Sequence, residues 1–179
     1  MSPGGHAVTT VVASAATAYV SGSLALASAV VFGGFLIDVD HAFDYVVFNR
    51  QRDLHPSVFL RYYLEGRATL VVLVLHSWEL FAFLTAMAWW TGWALLWAYL
   101  GGAVMHLLLD IAFNGEVLPK NVFAFYSFAY RAAHGFNGVT LQSRGRAVPT
   151  KFWSAFFSGT VPRNSKPRKS HKLLRDSPR

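Results

Sequence analysis

Residues 7–37 form an almost unbroken run of apolar and small side chains, interrupted once by Ser21-Gly22-Ser23. Such a run fits either one membrane-crossing helix of about 20–25 residues or a hairpin of two short helices turning at the break. Ala13, Ala15, Ala16, Ala25, Ala27 and Ala29 permit close helix approach in both cases. A polar, basic connection follows over residues 42–67. Residues 68–90 predict a second apolar helix, ended by Thr91-Gly92, and residues 93–113 a third, with Gly101-Gly102 as a close-packing point and Asn114-Gly115 as its stop. The aromatic, amphipathic stretch 121–136 predicts a helix lying at a membrane surface. From Gln142 onward the periodicity is lost among prolines and basic residues, the pattern of a disordered tail. The expected organisation is an all-α, integral membrane bundle of three to four apolar helices in residues 1–141, with an interfacial helix, and a basic cytoplasmic tail over 142–179.

Composition supports a membrane class. Of the 179 residues 54% are hydrophobic, 16% aromatic and only 14% charged, against about 25% charged in soluble domains. No Lys or Arg precedes Arg50, so the first apolar run lacks the basic start of a secretory signal and reads as a retained segment. The net charge of +7 is concentrated: residues 143–179 carry ten Lys/Arg against Asp176 alone, whereas residues 1–142 carry six against eight Asp/Glu. Arg50, Arg52, Arg61 and Arg67 in the 42–67 connection, together with the tail, place both on the cytoplasmic side of a bacterial or archaeal inner membrane. The tail then meets anionic lipid head groups, a simpler partner than nucleic acid.

Ionisable residues inside apolar stretches are costly and mark functional sites. Here they are Asp38, Asp40 and His41 in FLIDVDH, His76 in VLHSWE, and His106 with Asp110 in MHLLLD. His106 and Asp110 are spaced to share a helix face; Asp38 with His41, and His76 with Glu79, have the related three-residue spacing. Any one pair has a plain structural use, such as Asp110 orienting His106. Three clusters on one membrane face favour a metal site or a proton site. With no Cys in the chain, a metal would have only N and O ligands. Dinucleotide, P-loop and nucleophile-elbow motifs are absent.

These elements together resemble the YdjM-like, membrane-bound metal-dependent hydrolases. The resemblance rests on Gly5-His6, on Leu36-Ile37-Asp38-Val39-Asp40-His41 against an L-P-D-I-D-H signature, on Leu75-His76-Ser77 against T-H-S, and on Gly102 with His106 and Asp110 against G-x-x-x-H-x-x-x-D. It spans residues 5–115. Two departures stand out: Ile37 replaces the signature proline, and Val71-Val72-Leu73 are apolar where the family often has His-Arg-Gly. The resemblance implies a helical fold distantly similar to zinc-dependent phospholipase C, and it favours the hairpin because that brings His6 beside Asp38 and Asp40. It further implies one to three divalent ions, most simply zinc, held by His6, Asp38, Asp40, His41, His76, His106 and Asp110. Asp40 would be a ligand or the general base, and a phosphoester or lipid-like ester at the cytoplasmic face would be the substrate; Glu79, read from its spacing to His76 alone, is either a partner that supports the site or a general base. The alternative expectation is a non-enzymatic scaffold or proton- or ion-transport component using the same cluster.

Overall fold

Helices make up the described structure, a computed structural model that covers residues 3–113 and 121–142, with no strand among them. The tail expected after Gln142, and the stop expected at Asn114-Gly115, lie outside the described residues. The first apolar run is a hairpin. Helix α1 spans Pro3–Ser21 and α2 spans Leu24–Gly34. Gly22 takes φ 65° at the turn, and the Ser23 hydroxyl caps α2 by accepting the Leu26 amide. Beyond Gly34 the chain stays helical but changes pitch: a 3₁₀ turn over Leu36–Asp38, α3 over Val39–Phe43, then a π-helical turn over Asp44–Phe48. A short α4, Pro56–Leu64, follows. Two longer helices, α5 (Trp78–Thr91) and α6 (Ala94–Phe113), form a second hairpin that turns at Gly92.

The tightest joint lies between α2 and α6. A methyl on Gly102 would sit 2.3 Å from the Val30 carbonyl oxygen, and one on Gly33 would sit 1.9 Å from that of Tyr99, so backbone meets backbone there. Gly101 points into open space, so only Gly102 of the glycine pair does the packing expected of both. Beyond this crossing the Gly34 carbonyl and Asp38 both meet His106, so the C-terminal ends of α2 and α6 lie together and these two helices run parallel. Both hairpin tips therefore lie at one end of the bundle, and residues 38–44, 76 and 106–110 gather at the other.

Among the described residues, two stretches are long and apolar enough to cross a membrane, Leu24–Phe48 and Ala94–Phe113. That is fewer than the three to four expected. The shortfall falls on residues 68–90, where a helix begins only at Trp78. Residues 68–77 run instead as a largely buried, irregular segment, with Val71, Val72 and Leu73 all in the core. Buried backbone outside a helix must find other partners, and side chains provide them. The Asp44 carboxylate accepts the amides of Val72 (2.7 Å) and Leu73 (3.2 Å). Asn49 bonds Thr69 and Leu70 through both ends of its amide. The Arg131 guanidinium donates to the carbonyls of Val72, Leu73, His76 and Phe125.

The interfacial helix expected over 121–136 is likewise broken, into α7 (Val122–Phe125) and α8 (Phe128–Ala133), with α9 (Gly138–Leu141) beyond. Arg131, expected at a membrane surface, is wholly buried. Desolvation pulls its pKa down to about 10, which leaves it charged at neutral pH.

Candidate metal centre

Six of the seven expected ligands come from three short stretches that converge beneath the hairpin. His76 precedes α5 directly and is fixed by the 68–77 segment. Its Nδ1 lies 3.0 Å from Asp40 Oδ1, and the other Asp40 oxygen accepts the Leu75 and His76 amides. A carboxylate only accepts, so a proton sits on Nδ1, and in the neutral ring Nε2 carries the lone pair. His106 is held in the same sense. Its Nδ1 donates to the Gly34 carbonyl at 2.9 Å, the point where α2 changes pitch, and the Thr10 hydroxyl of α1 donates to that same oxygen.

The two Nε2 atoms face each other at 3.3 Å. Asp38 Oδ1 stands 3.5 Å from the first and 3.3 Å from the second, and Asp110 Oδ2 stands 3.8 and 3.4 Å from them. Ligands placed about 2.0–2.1 Å from a tetrahedral zinc lie about 3.3–3.4 Å apart. Each carboxylate thus stands from the two imidazoles at about the spacing of ligands to one ion, and Asp38 with His76 and His106 forms a group that could hold one. Lone pairs and carboxylates cannot satisfy one another; the group calls for positive charge, from a cation or from protons on the imidazoles.

His6, the seventh ligand, is brought in by α1. Its Nε2 is 2.9 Å from Asp110 Oδ1, and its ring stacks on His106 with centroids 3.9 Å apart. His41 lies at the edge. Its Nε2 is 3.7 Å from Asp38, its ring meets His76 and Tyr63 edge-on, and its carbonyl accepts the Tyr63 hydroxyl. Buried Nδ1 atoms on both His6 and His41 have no hydrogen-bond partner. Three overlapping groups could hold an ion: His6/His106/Asp110, Asp38/His76/His106 and Asp40/His41/His76.

No family model, curated protein or solved structure matches the chain.

Two expected roles look different in this geometry. Both Asp40 oxygens are engaged with His76 and its neighbouring amides, so Asp40 orients His76 while also belonging to one of the groups that could hold an ion. Glu79 belongs to none of the three groups. Its carboxylate accepts the Ser127 hydroxyl and the amides of Phe128 and Ala129, joining α5 to the start of α8. Desolvation works against its ionisation, but these hydrogen bonds outweigh it and hold the pKa at about 2. His76 and Glu79 also share no helix face, because Ser77 caps α5 between them. Sequence reasoning missed Arg131 and Asn49. The available signal was an arginine inside the aromatic run FAFYSFAYRAAHGF: arginine is almost never buried without a specific set of acceptors.

Proposed function

We propose that this chain is a membrane-bound, metal-dependent hydrolase, with zinc as the simplest ion and a phosphoester or other ester as substrate. The observation that carries the reading is the approach of His76 Nε2 to His106 Nε2 with Asp38 Oδ1 and Asp110 Oδ2 each 3.3–3.8 Å from both, each imidazole tied back through Nδ1. The resemblance to YdjM-like hydrolases names the same residues. His76, His106, Asp38 and Asp110 would hold the ion, Asp40 and the Gly34 carbonyl would fix the imidazoles, and His6 would orient Asp110. A bound divalent cation supplies Lewis acidity toward the scissile group and acidifies water. The partly exposed Asp38 and His41 are the groups placed to accept a proton from an approaching water molecule. Counting of basic residues puts this end of the bundle toward the cytoplasm.

Metal analysis of the purified full-length protein tests the reading. About one ion or more per chain is expected, with affinity at least tenfold lower in His106→Ala and Asp38→Ala. A native protein without stoichiometric metal, or two variants that bind it normally, would falsify it. The unbroken run of contacts from His6 through His106 and His76 to His41 favours proton transfer as the second reading. Proton flux in liposomes by metal-free protein would establish that one instead.

A further inference from the structure

Access to the cluster is uneven. His6, Asp40, His76, His106 and Asp110 are all buried, whereas the side chains of Asp38 and His41 are 37% and 28% exposed. Whatever reaches the centre meets Asp38 first. Asp38 lies well inside the apolar stretch Leu24–Phe48, not at its end. Exposed Phe32 and Phe35 flank it toward the hairpin tip, and exposed Phe43, Val46 and Val47 flank it on the other side. Along the chain it is preceded by exposed Phe35, where α2 ends, and followed by Ala42 in α3. Ala42 is itself exposed and its small side chain leaves room beside the carboxylate. No Lys or Arg occurs in the stretch; the first is Arg50. An opening bounded on both sides by apolar surface is poorly suited to a free, hydrated anion, whose desolvation nothing there offsets. It suits a molecule that brings its own alkyl chain.

We infer that the metal centre opens sideways at Asp38 toward the bilayer, and that its ligand is an amphiphile whose oxyanion or ester head meets the cluster while its chain lies along Phe35, Ala42 and Phe43. The inference rests on the metal-centre reading above and adds the route of approach and the chemical class. The adjoining π-helical turn, Asp44–Phe48, widens the helix beside this opening.

Cobalt-loaded full-length protein in detergent micelles separates the two readings, because the visible absorption of cobalt reports directly on its ligands. The spectrum is followed during titration with a short-chain phosphatidic acid and, separately, with inorganic phosphate. Phosphatidic acid is expected to perturb it at a concentration at least 100-fold lower. In Ala42→Trp, which fills the space beside Asp38 from an exposed position, cobalt uptake should be unchanged and the preference should shrink at least tenfold. Equal potency of the two probes in the native protein overturns the inference and leaves the metal centre standing. So does an undiminished preference in Ala42→Trp. Failure of the native protein to take up cobalt overturns both readings together.

Discussion

Arg131 is the residue whose loss the fold should feel most. It is fully buried, and its guanidinium serves four backbone carbonyls, three of them in the segment that carries His76. Leaving buried carbonyls unpaired costs about 1–3 kcal/mol each, and such costs do not simply add. Arg131→Ala should therefore lose about 3 kcal/mol or more in denaturant unfolding, and its metal affinity should fall because His76 is no longer held. Arg131→Lys keeps the charge without the planar fork and should recover only part of either property. Glu79 makes a milder case. Its folded pKa of about 2 lies below the ordinary value of 4.5, so its contribution is complete above about pH 4.5 and is lost as pH falls through 2. Hydrogen exchange at the Phe128 and Ala129 amides should stay slow from pH 7 to 5, and Glu79→Gln should speed it throughout that range. The ligand residues were legible because acids and imidazoles inside apolar sequence are rare. Their supports were not: nothing local in Asp44 or Asn49 says which distant amides they will bond.

Among the elements, the joint of α2 with α6 has a sharp test in two adjacent positions. Gly102→Ala drives a methyl against the Val30 carbonyl and should cost about 1–3 kcal/mol. Gly101→Ala meets nothing and should be neutral or slightly stabilising, since alanine favours the helix. Thermal unfolding in detergent compares them. Helix-forming pattern alone was enough to anticipate α6, and the Ser21-Gly22-Ser23 break marked the first hairpin. The same pattern misled over residues 68–77. Apolar sequence records that a segment is buried, but it cannot distinguish a helix that satisfies its own backbone from an irregular segment satisfied by Asp44, Asn49 and Arg131. The aromatic stretch after residue 121 was split for a related reason: one short helix ends at Tyr126, Ser127 caps the next, and Arg131 turns inward to its carbonyls.

The molecule as a whole is polarised along its length. The residues that could hold a metal occupy one end, and the opposite end presents Tyr19, Trp89, Trp90 and Trp93, all strongly exposed, around the two hairpin tips. Indole rings favour the boundary between head groups and hydrocarbon. In lipid bilayers, quenchers attached near the head group should therefore dim the tip tryptophans more than quenchers at the bilayer centre. Deeper quenching would mean that the tips do not mark an interface. One atom ties this long axis to the chemistry. The Gly34 carbonyl receives both Thr10 of α1 and His106 of α6 at the point where α2 changes pitch. Helix association and imidazole orientation thus meet at a single oxygen, so an ion held by His106 would be thermodynamically linked to the fold. An ion that binds only the assembled cluster stabilises it by about 2.7 kcal/mol at 100 times its dissociation constant. By the same linkage, a substitution that loosens the hairpin far from any ligand weakens metal binding, so the bundle can respond to metal supply through its own rigidity.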